Sequence, residues 1–274
     1  MTDSNNKNKK VLLIYPGAEP AMAPQMPIGV TVLASFLRKN GFEPTILDAR
    51  VEDSAHFCFS DYDYIGISSM SGTQLSEAIC FAKEIRKAAP DSIMIWGGVH
   101  PTFYPEQTIK SDLVDYIVRG EGEITLVELL NSLNNKTPLD QVKGLTYMEN
   151  GEVKSNEDRE FLKMEELDLP AYDLLKLEKY GLEYEYFSYE SSRGCPYACT
   201  FCYVNEFHDN TWRSKSAEKV LDEIEYLIKT FGAKRIRFIE DLWVVNKTRT
   251  QAILRGFIER KFNINWLGFH HARL

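Results

Sequence analysis

Apolar runs of strand length alternate with stretches of helical periodicity along the first 134 residues of the chain. The alternation starts with an apolar run at residues 11–15, followed by a helical stretch from Ile28 to Asn40 that stops before Gly41. The same rhythm continues, with strands predicted at 44–47, 64–68, 92–96 and 116–118 and helices at 74–89 and 124–133. Five strands separated by helices predict a doubly wound parallel sheet, which binds ligands at the carboxyl ends of its strands.

The pattern changes between residues 135 and 186. Within residues 145–153, the dipeptide Asn150-Gly151 is typical of a tight hairpin, and an acidic, tyrosine-rich stretch follows it. The alternation of strands and helices resumes at Phe187. We therefore expect a disordered polar tail, a first α/β domain, a linker that contains the hairpin and a second α/β domain, with boundaries at 1–9, 10–140, 141–186 and 187–274.

Composition and charge narrow the class of protein. Hydrophobic residues make up 44% of the chain and charged residues 26%, and no apolar run approaches the roughly 18 residues that a membrane helix needs. The N-terminus lacks the apolar segment of a secretory signal, so we expect a cytoplasmic protein without a membrane span. The net charge of −8, without a basic cluster of interleaved aromatic residues, disfavours nucleic acid as a partner.

Three of the five cysteines fall within eight residues and have the spacing C-x3-C-x2-C, namely Cys195, Cys199 and Cys202. One loop with this spacing can fold three thiolates around one metal assembly. A closed zinc site and an electron-transfer cubane both take four ligands, so three thiolates leave one iron available to a substrate. A zinc knuckle completed by His208 is the alternative. Cys58 and Cys80 stand alone in apolar surroundings and are expected to be small buried residues.

The cysteine loop resembles that of radical S-adenosylmethionine (SAM) enzymes, whose motif has an aromatic residue before the last cysteine, here Phe201. The resemblance implies a [4Fe–4S] cluster on the three cysteines, with an open iron that chelates the amino and carboxylate groups of SAM. Reductive cleavage of SAM then gives a 5′-deoxyadenosyl radical. Glu240 and Asp241 follow the next predicted strand, where the family often places residues that touch SAM, so both are candidates for SAM binding together with Phe201. An acid pair that caps the following turn is the alternative.

The first domain contains a second set of candidate ligand-binding residues. Gly97 and Gly98 directly follow a predicted strand, and paired glycines there let a flat ligand approach the backbone. Neither a G-x-G-x-x-G after the first strand nor a P-loop is present, which argues against NAD and ATP. Together with residues 68–73, residues 119–123 and the helix start at 27–29, this segment resembles the B12-binding domain that precedes many radical SAM cores.

The resemblance to B12-binding domains implies roles in cobalamin binding. The residues that it implicates are Ser69, Ser71 and Thr73 on the pocket for the nucleotide tail, Gly97 and Gly98 beside that tail, and Gly120, Glu121 and Gly122 in the loop that closes the face. Residues 16–27 contain no histidine, so the D-x-H-x-x-G motif of many B12 domains is absent. Cobalamin would then bind without a protein imidazole below the cobalt. His100 lies outside that motif and is expected to order its loop through a hydrogen bond.

These features predict an α/β protein with a flavodoxin-like doubly wound parallel sheet of the B12-binding type, followed by the first part of a radical SAM partial (β/α) barrel. The predicted function is cobalamin-dependent methyl transfer to an unactivated carbon of a small molecule, with an electron donor such as flavodoxin or ferredoxin. A radical SAM oxidative cyclase or rearrangement enzyme is the alternative within the class. A non-catalytic corrinoid-binding or zinc-knuckle protein is the alternative outside it. Because about three βα units precede Leu274 where the family has about six, we expect an incomplete radical SAM core.

Overall fold

The computed structural model describes residues 9–17, 25–180 and 186–270, so nearly all of the predicted disordered tail over 1–9 lies outside the described residues. The chain divides into two compact units. The first comprises Met1–Phe161 and Pro170–Lys176, and the second comprises Leu162–Leu169 and Leu177–Leu274. No helix in the described part of the chain is long and apolar enough to cross a lipid bilayer.

The first unit is built on a seven-stranded sheet. Its elements are β1 (Lys10–Tyr15), α1 (Ile28–Lys39), β2 (Glu43–Asp48), β3 (Tyr64–Ser68), α2 (Thr73–Ala88), β4 (Ile93–Gly97), α3 (Val99–Phe103), α4 (Pro105–Ile109), β5 (Tyr116–Val118), α5 (Glu123–Asn135), β6 (Leu145–Glu149) and β7 (Glu152–Ser155). The strand order is β2-β1-β3-β4-β5-β6-β7, and the first five strands are parallel. This order is that of flavodoxin-like sheets, which confirms the predicted fold.

The core of the first unit explains why the strands are continuous apolar runs. Leu12 and Ile14 of β1 join a buried cluster that includes Ala82 and Ile85 of α2. The alternate positions of β1, Val11 and Leu13, point to the opposite face of the sheet and are also buried. Burial on both faces is the usual condition of parallel strands, so their sequences do not alternate between apolar and polar residues.

The hairpin of β6 and β7 belongs to this sheet. β6 pairs antiparallel with β5, with Leu145 opposite Val118, and β7 pairs with β6. Asn150 and Gly151 both have positive φ, as the tight turn requires. The hairpin is therefore part of the first sheet and not of the expected linker. It covers the edge of β5, which would otherwise present unpaired backbone groups.

The second unit contains a three-stranded parallel sheet of order β12-β11-β8 and a short antiparallel ribbon of β9 and β10. Its elements are β8 (Tyr186–Tyr189), β9 (Ser192–Arg193), α6 (Val204–Phe207), β10 (Arg213–Ser214), α7 (Ala217–Phe231), β11 (Arg235–Phe238), α8 (Lys247–Glu259) and β12 (Asn265–Leu267). The Ser216 hydroxyl caps α7 by accepting from the Lys219 N–H, and α7 ends at Phe231, followed by the C-cap residue Gly232 with φ +67°. Successive parallel strands joined through helices form the start of the predicted partial barrel.

Candidate cofactor-binding sites

The carboxyl ends of β3 and β4 are joined by backbone hydrogen bonds. The N–H of Ser69 donates to the Gly97 carbonyl at 2.9 Å, and the N–H of His100 donates to the Ser69 carbonyl at 3.1 Å. These bonds hold the segment after β3 beside the turn after β4, on the edge of the sheet where doubly wound folds bind ligands. Two groups of residues that are separate in sequence therefore lie side by side.

Gly98 lies where these two segments approach most closely. Its φ is +93°, and a Cβ at this position would lie 2.7 Å from the Ser69 oxygen and 2.9 Å from the Ser69 nitrogen. Only glycine tolerates both conditions. A Cβ on Gly97 would lie 3.3 Å from the Val118 oxygen at the end of β5. The paired glycines are predicted to admit a ligand, and in the structure their nearest neighbour is the backbone of the protein itself.

The three hydroxyl residues after β3 differ in exposure. Ser69 is 1% exposed, and its hydroxyl oxygen has no hydrogen-bond partner within the described ranges. Ser71 and Thr73 are exposed, and the Ser71 hydroxyl lies 3.0 Å from His100 Nδ1. Burial lowers the pKa of His100, so its ring is neutral near pH 7 and can share a hydrogen bond with this hydroxyl. The contact has the geometry of the loop-ordering bond expected of His100.

Thr102 connects the turn after β4 to the turn after β5. Its hydroxyl donates to the Gly98 carbonyl at 2.7 Å and accepts from the Gly120 N–H at 2.9 Å. Gly120 has φ +65° and begins the turn, with Glu121 and Gly122, that leads into α5. The structure thus brings all three predicted cobalamin segments to one edge. Thr102 is not among the residues predicted from the sequence. Its signal there is a hydroxyl four residues after Gly98, the spacing of a hydrogen bond back to the preceding helical turn.

The three cysteines lie half-buried on the loop between β9 and α6 of the second unit. The N–H of Cys202 donates to the Cys199 carbonyl at 3.0 Å, and the Asn205 side chain donates to the same carbonyl at 2.8 Å. Burial raises the pKa of the Cys195 thiol, and the charges of Asp241, Cys199 and Cys202 raise it further. All three thiols are partly accessible and lie within eight residues of one another in the sequence.

The three thiols of this loop are the ligand type that iron–sulfur clusters use. Across the residues that the structure describes, no three His, Cys, Asp or Glu side chains are arranged to hold one metal ion. A four-iron cluster makes a different demand, because each thiolate binds a separate iron. Neighbouring, half-buried thiols on one loop fit that demand, whereas a closed zinc site needs four ligands around one point.

His208 is buried beside the cysteine loop, and both of its ring nitrogens face protein groups. Nδ1 lies 3.4 Å from Arg213 Nη2, and Nε2 lies 3.9 Å from Asp241 Oδ2. Because a guanidinium only donates, Nδ1 accepts and the ring proton is on Nε2, on the side of the carboxylate. A zinc ligand would have to give up one of these contacts, so the geometry disfavours the zinc-knuckle alternative.

Glu240 is 3% exposed, next to the end of β11, and its carboxyl group holds the segment that leads to the cysteines. Oε1 accepts from the Ser191 N–H at 2.7 Å and from the Ser191 hydroxyl. Arg249 donates to the Ser191 hydroxyl oxygen at 2.8 Å and to the Ser191 carbonyl at 3.0 Å. Burial raises the pKa of Glu240 to about 8, against the opposing effects of the Ser191 hydrogen bonds and the Arg249 charge.

Asp241 is exposed and accepts the N–H of Gly194 at 3.2 Å. Gly194 directly precedes Cys195 and has φ +82°, and a Cβ there would lie 2.1 Å from the Thr211 carbonyl oxygen. Both acids thus accept hydrogen bonds from the segment before the cysteines. Neither of these bonds caps the turn that follows Glu240 and Asp241. Phe201 is 91% exposed, so its ring is accessible to a ligand.

The two isolated cysteines are exposed, and the expectation that both are buried is wrong. Cys80 lies on α2, whose buried positions are Ala78, Ala82 and Ile85. Cys58 precedes a short 3-10 turn, and its sulfur lies 3.2 Å from the Ser60 hydroxyl oxygen. Apolar neighbours in sequence did not determine burial here, because the helical period decides which side of α2 faces the core.

Comparisons with known proteins agree with the geometry of both units. The family model described as the B12 binding domain matches residues 21–130. The uncharacterized methyltransferase PH0819 of Pyrococcus horikoshii is 32% identical over 277 residues, which is 95% of this chain and 59% of that protein. The anaerobic magnesium-protoporphyrin IX monomethyl ester cyclase of Synechocystis is 25% identical over 283 residues, 96% of this chain and 56% of the cyclase. The chain therefore spans little more than half the length of these relatives.

A solved structure gives the same result. The cobalamin-dependent S-adenosylmethionine radical enzyme OxsB, determined with aqua-cobalamin and S-adenosylmethionine bound, matches with a TM-score of 0.78. The match has 25% identity and covers 95% of this chain and 38% of the other. Fold and sites together define a B12-type sheet in the first unit and the beginning of a radical SAM core in the second. The first unit therefore matches a B12 binding domain, and nearly the whole chain is similar to cobalamin-dependent radical SAM enzymes.

Proposed function

We propose that this chain forms the cobalamin- and cluster-binding part of a radical SAM methyltransferase that transfers a methyl group to an unactivated carbon of a small molecule. One observation carries the proposal. A B12-type sheet with a glycine-lined ligand edge and a half-buried loop of three neighbouring thiols occur in the same chain. Either feature alone is compatible with other functions, whereas the combination favours an enzyme that uses a corrinoid and an iron–sulfur cluster together.

In this proposal Cys195, Cys199 and Cys202 hold a [4Fe–4S] cluster and leave one iron open. When bound, the cluster supplies the electron for reductive cleavage of SAM at that open iron. The strained Gly194 turn and the Asn205 bond to the Cys199 carbonyl hold the loop in shape. Phe201, Glu240 and Asp241 stay predictions as SAM contacts.

Phe201 and Asp241 fit a role in SAM binding better than Glu240. Phe201 is 91% exposed, and the Asp241 side chain is 27% exposed, with Oδ2 bonded to the Gly194 N–H. The carboxyl group of Glu240 is buried, and one of its oxygens is already bonded to Ser191. Glu240 therefore suits the task of holding the start of the loop.

Cobalamin would bind at the carboxyl edge of β3, β4 and β5. Its proposed contacts are Ser69, Ser71, Thr73, Gly97, Gly98, Gly120, Glu121 and Gly122. The buried, unpartnered hydroxyl of Ser69 suits a polar atom of the nucleotide tail. Thr102 adds a bridge that keeps the turns after β4 and β5 in register. The electron donor, such as flavodoxin or ferredoxin, and the cytoplasmic location stay predictions.

An oxidative cyclase is the second candidate, because a cyclase that matches 96% of this chain is among the relatives. The two reactions differ in what happens to the corrinoid. In a single turnover a methyltransferase moves the methyl group of its bound methylcobalamin to the product, one for one, whereas a cyclase leaves that methyl group in place. Loss of a labelled methyl group from bound methylcobalamin during turnover would therefore decide between them.

The experiment that tests the proposal is anaerobic reconstitution with iron, sulfide and hydroxocobalamin, followed by metal counting and optical spectra. We expect about four irons and one corrinoid per chain. A triple Cys195/Cys199/Cys202→Ala variant should lose the iron and keep the corrinoid. A double Cys58/Cys80→Ala variant, which removes the two thiols outside the loop, is the matched control and should keep both the iron and the corrinoid. Zinc without iron, or iron that persists in the triple variant, would contradict the proposal.

A further inference from the structure

A carboxylate, an imidazole and a guanidinium form a line behind the cysteine loop. Asp241 Oδ2 accepts the Gly194 N–H at 3.2 Å and lies 3.9 Å from His208 Nε2. The other ring nitrogen of His208 faces Arg213 at 3.4 Å, and Arg213 donates to the Leu162 carbonyl at 2.6 Å. All of these groups belong to the second unit. The line ends one residue before the first cysteine of the loop.

The surroundings of Gly194 leave this line little room to shift. A Cβ on Gly194 would lie 3.0 Å from His208 Cβ and 2.1 Å from the Thr211 carbonyl oxygen. Thr211 is tied to the same segment, because its N–H donates to the His208 carbonyl at 2.9 Å. The backbone before Cys195 is therefore clamped between Asp241 on one side and residues 208–211 on the other.

The charge of Asp241 acts at the same place as its hydrogen bond. Asp241 Oδ2 accepts the N–H of Gly194, the residue directly before Cys195, so its carboxylate lies beside the start of the cysteine loop. The reduction potential of an iron–sulfur cluster depends on the net charge around it and on hydrogen bonds near its sulfurs. A carboxylate beside the first ligand disfavours the added electron and so lowers the potential.

We propose that Asp241, supported by His208, is a positioning residue for the cysteine loop and that its negative charge holds the reduction potential of the bound cluster low. The inference rests on the proposed function, because it assumes a cluster on the three cysteines. It differs from a role in SAM binding in one respect. Asp241 acts on the cluster through Gly194 and its own charge, so its effect is present without SAM.

Two substitutions separate the hydrogen bond from the charge. Asp241→Asn keeps an acceptor for the Gly194 N–H and removes the negative charge, whereas Asp241→Ala removes both. Asp222→Asn is the matched control, because it makes the same change at an exposed acid of α7 that pairs with Arg260. A His208→Leu variant removes the polar support behind Asp241 while keeping a buried apolar side chain.

The first measurement uses the iron-free protein. The chain contains 16 glycines, so selective ¹⁵N-glycine labelling gives a simple spectrum in which exchange of the Gly194 amide proton can be followed. Asp241→Ala should speed that exchange roughly fivefold, as loss of one hydrogen bond of about 1 kcal/mol implies. Asp241→Asn should stay near the wild type, and His208→Leu should fall between them. Unchanged exchange in Asp241→Ala would overturn the positioning role.

The second measurement is a redox titration of the reconstituted full chain without SAM, monitored by electron paramagnetic resonance. The midpoint potential should move to a more positive value in Asp241→Asn and stay in place in Asp222→Asn. An unchanged potential in Asp241→Asn, with weaker SAM binding as its only defect, would overturn the electrostatic role. Failure of the wild type to bind iron would overturn the proposed function and this electrostatic role, while amide exchange in the iron-free protein would still decide the positioning role.

Discussion

Substitution of Gly98 by alanine tests whether close backbone approach shapes the predicted cobalamin edge. Gly98 has φ +93° and ψ −167°, and Gly72 has φ +100° and ψ −143°. Both glycines directly precede a helix of the first unit. Because their φ and ψ are similar, the conformational energy cost of alanine is similar at the two positions. They differ in their neighbours. A Cβ on Gly72 meets nothing within 4 Å, whereas one on Gly98 lies 2.7 Å from the Ser69 oxygen.

The expected loss of stability has two sources, the backbone conformation and the clash of the new Cβ with its neighbours. The backbone region that both glycines occupy costs about 1–3 kcal/mol for a residue with a side chain, so Gly72→Ala should lose about that much stability. At Gly98 the new methyl group must push away the Ser69 backbone, which accepts from the His100 N–H and donates to the Gly97 carbonyl. Overpacking of this kind adds about 1–3 kcal/mol. Gly98→Ala should therefore be less stable than Gly72→Ala by about that second amount.

Native-state hydrogen exchange measured by mass spectrometry suits this comparison, because peptides from β4 report the opening of the first unit alone. The free energy of opening should fall in the order wild type, Gly72→Ala, Gly98→Ala. Gly98→Ala should also bind hydroxocobalamin more weakly, since the turns that line the edge are displaced. Equal losses for the two variants, within about 0.5 kcal/mol, would refute the argument from the Ser69 contact.

Two further predictions concern buried charge. The pKa of Glu240 is raised from 4.5 to about 8, so between these pH values the folded protein keeps a proton that the unfolded chain releases. The free energy of unfolding is therefore highest below the unfolded-state pKa and falls as the pH rises toward 8. Wild type should therefore lose stability, on the order of 3 kcal/mol between about pH 5 and 8, relative to Glu240→Gln in urea unfolding, and a pH-independent difference would contradict this. Arg119→Met removes donors to the Leu145 and Asn156 carbonyls and should cost about 2–4 kcal/mol, seen as faster exchange in β6 and β7. Arg38→Met, which breaks an exposed pair with Asp173, should cost less than about 1 kcal/mol and serves as its control.

Local sequence was sufficient for the five parallel strands of the first unit and for the type of sheet. The runs at β1 and β3 are apolar without alternation because both faces of a parallel sheet are buried, and the helices between them leave few topologies open. It was not sufficient for the hairpin at Asn150-Gly151. The Asn-Gly dipeptide predicts the tight turn. The hairpin joins the sheet because the edge of β5 has backbone groups free to pair with β6. Burial of Cys58 and Cys80 was misjudged for a related reason, since burial depends on what packs against each residue.

For the candidate sites, the sequence by itself determined the chemical groups. The spacing of Cys195, Cys199 and Cys202 fixes three thiols on one loop, and the glycines after β4 fix a backbone without side chains. Only the tertiary structure decided which groups meet. In the folded chain, buried Glu240 bonds to Ser191 and Asp241 bonds to Gly194. Thr102 bonds to the turns after β4 and β5. The physical reason is that these contacts join residues far apart in sequence, and their geometry exists only once the strands have paired.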